Sequence, residues 1–450
     1  MPTAAKPLHP VDEIPPFGRM LLGAVQHVLV MYAGAVAVPL IVGGALKLPK
    51  EQIAFLVNAD VFACGIVTLI QSAGLWRLGI RLPVVMGASF AAVGPMAAMA
   101  TSGSSLPGLF GAVIAAGALT VAAAPFAARL VRFFPPLVTG TLVVVIGITF
   151  LRTGIDWAAG GVGAKDFGDT ANLAVVALVL ATILVIGKLF DGFVANLAVL
   201  IGLGVGFSAA LALGMVELGA VRDADWIALV YPLRFGEPTF EPGAIASLCV
   251  VMIVVMVEST GLFFALGETC GKAVGRADIA RGLAAGGLGA IIGGAFNAFP
   301  CAPAPQNAGL IAITGLRSRW VCAVAGAILV VVGLLPKLGA VFASLPRPVL
   351  GGAGLVMFGM VAATGIRILA RVDHRSRHNL IVFAVSIAIG MIPMVAPTFF
   401  AQAPRWAGAL ANSGITLAAV SAVLLNALLN GPAASRRAGS GAARSATIDS

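Results

Sequence analysis

Apolar residues run almost unbroken along this chain, and short polar clusters cut the run into segments. The segments begin near Leu21, Ile53, Pro83, Leu106, Leu137, Asn172, Val194, Ala244, Leu283, Gln306, Trp320, Val341, Leu380 and Gly408. Most are about 20 residues long, the length of helix that crosses a hydrocarbon core, so the pattern predicts an all-α polytopic membrane protein. The third segment (Pro83 to about Met99) carries Gly87, Gly94 and Pro95, and the tenth (Gln306 to Leu316) follows Pro300, Pro303 and Pro305. Both are too broken to read as continuous spanning helices. They stand seven segments apart, and interrupted spans at matching places in two halves point to inverted repeats with a binding site between half-helix ends at mid-membrane.

Composition narrows the class. Of 450 residues, 60% are apolar and 10% charged, which excludes a water-soluble enzyme. The length accommodates roughly twelve to fourteen spans and little else, so one membrane-embedded domain is expected. The net charge of +10 comes from Lys and Arg scattered singly through short loops, with no basic stripe of the kind that grips nucleic acid. Five cysteines (Cys64, Cys249, Cys270, Cys301, Cys322) without CxxC spacing suggest neither a disulfide framework nor a zinc site.

With both termini placed in the cytoplasm, most of the 28 Lys and Arg fall on the cytoplasmic side. The bias is strongest at Arg77/Arg81, Arg129/Arg132, Lys272/Arg276/Arg281, Arg317/Arg319 and Arg367 to Arg377, while Asp156, Asp166, Asp169, Glu217, Asp223, Asp225, Glu237 and Glu241 collect outside. This is the positive-inside asymmetry, and it favours an even number of spans in a bacterial inner membrane. Residues 1–19 lack the basic and small-residue pattern of a signal peptide and read as a cytoplasmic segment before a retained first span. The outer connection from Glu217 to Pro242, with Trp226 and Tyr231, reads as an interfacial cap between the halves, and residues 431–450 as a disordered cytoplasmic tail.

An ionisable group at bilayer depth costs roughly 2.5 to 3.5 kcal/mol on insertion scales, so each one needs a partner or a task. Glu258, within Met256-Val257-Glu258-Ser259-Thr260-Gly261, has no local cation and suits a group that both grips a polar substrate and takes up a proton; the plainer reading is a protonated, hydrogen-bonded structural Glu. Asp60, beside Asn58, serves equally well as a proton-coupling group or as a partner for the broken backbone of another span. His27 in the first span reads more readily as a ring that pins neighbouring helices, with Gln26 adding an amide contact. Gln306 opens the tenth segment with a planar amide that can read the edge of a heterocycle. Beside it Asn307 can cap a half-helix, and Gly309 and Gly315, flanking Thr314, allow close backbone approach.

These residues resemble those of the nucleobase–ascorbate transporter family, also called the nucleobase:cation symporter-2 or xanthine/uracil permease family. Gln306-Asn307-Ala308-Gly309-Leu310-Ile311-Ala312-Ile313-Thr314-Gly315 matches its signature, Gln/Glu/Pro-Asn-x-Gly-x-x-x-x-Thr-Arg/Lys/Gly, at every defined position. Gln26-His27 matches its first-span motif, Val257 to Gly261 its eighth-span motif, and Gly87-Ala88-Ser89-Phe90-Ala91 its third-span segment. The resemblance implies fourteen spans in seven-plus-seven inverted repeats, with spans three and ten meeting as short antiparallel strands. It implies a transmembrane domain over 20–430, with a core (about 20–132 and 244–336) and a gate (about 136–216 and 340–430) that often dimerises. Glu258 and Gln306 are then expected to hydrogen-bond a base, Ser89, Phe90 and Ala91 to line it, and Asn307 to support Gln306. Proton coupling is expected to involve Glu258, with His27, Gln26 and Asp60 as further candidates and no cofactor or metal.

Gln306, in place of the Glu common in uracil carriers, looks like the purine branch of xanthine and uric acid carriers; a uracil or broad nucleobase permease is the alternative. An anion transporter or channel on the same architecture is the reading from another class. The chain departs from the family at Leu262 and Gly286, where many purine carriers have Asp, and in the approach Cys301-Ala302-Pro303-Ala304-Pro305. Glu258 is thus the acid the resemblance places in the site.

Overall fold

The computed structural model describes residues 9–101, 103–126, 134–400, 402 and 411–431. Its first set of helices is α1 (Phe17–Ala45), α2 (Lys50–Leu69, extended by a π turn, Ile70–Gly74), α3 (Phe90–Thr101), α4 (Leu106–Ala123), α5 (Pro136–Ala158), α6 (Thr170–Leu189) and α7 (Ala198–Ala212). The second is α8 (Pro242–Cys270), α9 (Arg276–Ala295), α10 (Pro305–Thr314), α11 (Arg319–Gly333), α12 (Arg347–Leu369), α13 (Arg377–Val395) and α14 (Gly414–Asn430). Among the described residues, eight helices are long and apolar enough to cross a membrane. The count is nine if α11 and the short helix Pro336–Ala343, bent from it by 78°, form one span.

The packing repeats after a shift of seven helices. α4 lies on α9 and α2 on α11; α5 lies on α12; α6 lies on α7 and α13 on α14; α1 lies on α3 and α8 on α10. Small residues make the closest crossings possible, because lipid supplies no hydrophobic drive between helices and packing must do so. A Cβ at Gly65 on α2 would stand 2.6 Å from Val330 N on α11, and one at Gly365 on α12 would stand 2.5 Å from Val144 N on α5.

Two three-residue strands join the sets. β1 (Met86–Ala88) and β2 (Cys301–Pro303) pair antiparallel with Met86 opposite Pro303, Gly87 opposite Ala302 and Ala88 opposite Cys301. Ser89 N donates to Pro300 O at 2.8 Å and Ala304 N to Val85 O at 2.9 Å, so the ribbon is closed at both ends. Each strand runs straight into a helix, which sets the N-termini of α3 and α10 at opposite ends of the ribbon.

Several boundaries differ from the hydropathy pattern. α1 begins at Phe17, inside the segment read as preceding the first span. α9 starts at Arg276 rather than Leu283, because Gly275 and Asp278 cap a polar first turn that an apolar run cannot register. Val341 lies within the short helix, and α12 starts only after Pro346. The start of the run at Gly408, the Arg129/Arg132 loop and residues 432–450 lie outside the described residues, and the rest of that run is α14.

The chain before α1 is held down. Val11 is fully buried. Arg319 N donates to Val11 O at 2.9 Å, and Ser318 Oγ donates to Glu13 O at 2.6 Å. Asp12 accepts from Lys272 Nζ at 3.2 Å and Arg319 Nε at 2.7 Å, while Arg319 also donates to Ala73 O at 2.6 Å. Burial alone would raise the Asp12 carboxyl, but Lys272 and Arg319 outweigh it and leave it below the usual carboxylate range. At the other end, the 217–242 connection covers α2, α9 and the end of α11 through Lys50–Glu217, Leu233 N to Ala295 O, and Ala228 N to Leu334 O.

Candidate functional site

α10 is short because its ends are fixed by sequence. Pro305 occupies its first position, where the missing N–H costs nothing, and Gly315 closes it in the left-handed region at φ 67°. Gln306 is therefore in the first turn, and it is exposed, as is Gly309; Thr314 turns its hydroxyl back to Leu310 O at 2.8 Å.

Asn307 does something other than the expected capping. It makes no cap hydrogen bond to its own helix. Its Nδ2 instead reaches α1, 2.9 Å from His27 Nδ1 and 2.9 Å from His27 O. Both residues are buried, at 1% exposure each. An NH2 that donates to a backbone carbonyl cannot present its oxygen there, so His27 Nδ1 is the acceptor and the ring proton sits on Nε2. Asn307 Oδ1 remains buried without a partner among the described residues. The pair ties the start of the broken helix to the first span, with Gln26 half-buried one residue earlier.

Glu258 lies near the middle of α8, which packs against α3 and α10. It is half-buried, and among the described residues no hydrogen bond or ion pair engages it. Phe90 opens α3, between buried Ser89 and Ala91. Its ring meets Phe358 of α12 edge-on at 6.1 Å and Phe150 of α5 at 6.4 Å, while Phe150 and Phe358 are 5.5 Å apart. Phe90 thus joins the ribbon to the α5–α12 pair.

Asp60 is fully buried and faces the backbone. Its Oδ1 accepts from Phe299 N at 3.0 Å, two residues before β2, and its Oδ2 accepts from Cys64 Sγ at 3.9 Å. Of the two tasks open to it in the sequence, this geometry supplies the backbone partner. The patterns above passed over Tyr32, buried on α1 with its ring 5.0 Å from Phe342 and its hydroxyl unpartnered among the described residues. A lone phenol five residues after His27 was the available signal.

Two cavities lie nearby. One, small and apolar, is bounded by Val36, Leu40, Trp157, Phe342, Met357 and Phe358. The other, smaller still, is bounded by Gln71, Met86, Thr120, Ser259, Gly286 and Cys301. An added Cβ at Gly286 would meet nothing within 4 Å there. Neither is lined by Glu258 or Gln306.

Residues 18–399 match the model of the Permease family that describes xanthine and uracil permeases. Over 95% of its length the chain is 48% identical to the uric acid transporter UacT of Escherichia coli, covering 89% of that protein. It is 43% identical over 91% of its length to the uric acid permease PucK of Bacillus subtilis and 42% identical over 92% to the xanthine permease of the same organism, covering 94% of each. Among solved structures, the transmembrane domain of the cyanobacterial bicarbonate transporter BicA superposes with a TM-score of 0.61 at 16% identity, over 92% of this chain and 99% of that one. Murine Slc26a9, an anion transporter in an inward-facing state, superposes at 0.63 and 13% identity, over 94% and 69%. At that identity the likeness is one of fold.

Proposed function

This chain belongs to the Permease family, and from that premise we propose that it is a secondary active carrier importing a purine base, uric acid or xanthine, with protons across a bacterial inner membrane. The high identity over nearly the whole chain to relatives named for those two substrates carries the reading. The site supports it. Among the described residues Glu258 offers a carboxyl and Gln306 an amide without a hydrogen-bond partner, and Phe90 a ring, on α8 and on α10 and α3, each of which packs against α8. The half-helix N-termini of α3 and α10 add positive potential and free N–H groups.

Proton coupling follows from charge. Urate is an anion at neutral pH, and a carboxylate accepts it at hydrogen-bond distance only with a proton between them. The bound complex then carries that proton, and Glu258 is the group placed to hold it. A carrier of small inorganic anions needs fixed positive charge and offers no ring edge for a carboxyl to pair with, so Glu258 weighs against that reading.

The repeat of packing after seven helices supports a seven-plus-seven inverted repeat with fourteen spans, the short α3 and α10 each completed by its strand. In this arrangement α1–α4 and α8–α11 form a core and α5–α7 and α12–α14 a gate, which offers a surface for a second copy. Both termini are cytoplasmic, and rocking of core against gate exposes the site to each face in turn. Uptake of labelled urate and xanthine by cells lacking their own purine permeases tests the function. Competition by purines but not by sulfate is expected, and sulfate competition with purine indifference would overturn it.

A further inference from the structure

Cys64 and Cys301 are 237 residues apart in sequence, yet their Sγ atoms lie 3.3 Å from each other. Cys64 is on α2 and Cys301 opens β2; their exposures are 0% and 1%. All five cysteines are free thiols. Two features separate this pair from ordinary buried cysteines packed as small apolar side chains. Cys64 Sγ has a carboxylate acceptor, Asp60 Oδ2, at 3.9 Å. Cys301 also borders a small void whose wall includes Gln71, Thr120 and Ser259 beside Met86, Met252 and Met256.

We propose that Cys64 and Cys301 form a peroxide-oxidisable thiol pair that switches the carrier off. The Cys64 thiol passes its proton to Asp60 and its sulfur attacks the terminal oxygen of a hydroperoxide. The O–O bond breaks, Cys64 becomes a sulfenic acid, and the leaving oxygen departs as water, or as an alcohol, with the proton from Asp60. Cys301 Sγ then attacks the sulfenic sulfur; its proton and the departing hydroxyl leave as a second water. Two thiols are oxidised and one hydroperoxide is reduced by two electrons. The sulfurs need approach by only about 1.3 Å to reach disulfide bonding distance.

The consequence lies in what the sulfurs hold. In the reduced pair Cys64 donates to Asp60 Oδ2, and Asp60 Oδ1 fixes Phe299 N just before β2. The disulfide removes that donor and fastens β2 to α2. The strand ends at Pro303, two residues before α10 begins and three before Gln306. Oxidation therefore acts on the ribbon that presents the substrate amide.

The full-length protein in liposomes is exposed to hydrogen peroxide, alkylated under denaturing conditions and digested. The expected product is one linked peptide pair containing Cys64 and Cys301, lighter by two hydrogens, with Cys249, Cys270 and Cys322 still alkylated. Urate uptake should fall at least fivefold in parallel and return with dithiothreitol, while Cys301→Ala, which leaves the Cys64 donor to Asp60 in place, shows no such fall under peroxide. Cys64 and Cys301 both alkylated after treatment would overturn the proposal, as would a linked pair with unchanged uptake in a carrier that transports urate. The peptide readout does not depend on the substrate, so failure of the purine reading would be seen separately as uptake absent before any oxidant is added.

Discussion

The side-chain amide of Asn307 joins the broken tenth helix to the first span by donating to both His27 Nδ1 and His27 O, each at 2.9 Å. One NH2 group uses both its protons on one residue, and the ring is held as the tautomer protonated at Nε2. Gln306 is the next residue back, so the amide proposed to bind the substrate is carried by backbone that its neighbour's contact holds.

Asn307→Ala leaves buried His27 acceptors unpaired, at a cost of about 1 to 3 kcal/mol. Uptake kinetics should show a KM for urate raised about tenfold or more. Asn307→Asp should be at least as damaging, because it sets a carboxylate oxygen against the His27 carbonyl. An Asp variant with near-normal KM would mean that the amide does not act as a donor.

Phe90 touches Phe150 and Phe358 across the boundary between the ribbon and the α5–α12 pair. Ring pairs of this kind contribute about 0.5 to 1.5 kcal/mol beyond the area they bury. Phe90→Leu, which keeps bulk and loses the ring, should raise the KM for xanthine about three- to tenfold and leave the amount of folded protein unchanged. Equal kinetics for the two proteins would remove Phe90 from the site.

On α12 two glycines make opposite demands. A methyl at Gly365 would fall 2.5 Å from Val144 N of α5, whereas one at Gly359 meets nothing within 4 Å. Gly365→Ala should lower the thermal unfolding midpoint in detergent, reflecting a cost of about 1 to 3 kcal/mol. Gly359→Ala should match the wild type within error; a larger loss at Gly359 would contradict the observed α5–α12 crossing.

Asp12, held below its ordinary pKa between Lys272 and Arg319, makes stability depend on pH in one direction. A depressed carboxyl contributes fully above its unfolded value, near 3.9. That contribution is lost as pH falls through the lower folded value. The three side chains are partly exposed, so the whole contribution is about 1 kcal/mol or less. The midpoint of Asp12→Asn should lie below the wild type by a constant amount from pH 5 to 8, and the gap should close below about pH 4. A gap that opens only near neutrality would point to another group.

Much of this was legible in the sequence, and what escaped has physical causes. Gly87 and the prolines around β2 fall where the two short strands form, whereas Gly94 and Pro95 lie within the helix α3. The pairing of those strands rested on the family resemblance alone, since three residues carry too little alternation to signal a strand. Hydropathy missed the polar start of α9 and the break at Pro336, since it measures greasiness rather than helix continuity. Asn307 was recognised as important but given the wrong partner: a short amide can serve its own helix or the next one, and only the position of α1 decides. The Cys64–Cys301 contact has no local signal at all.

The most direct test of the central claim uses the purified carrier in liposomes with an inwardly directed proton gradient and labelled urate. Wild-type protein should concentrate urate inside, and a protonophore should abolish that accumulation. Glu258→Gln, which keeps the size and hydrogen-bonding capacity of the side chain but cannot hold the proton, should fail to concentrate urate at any gradient. Undiminished, protonophore-sensitive accumulation by Glu258→Gln would contradict the assignment of the coupling proton to Glu258.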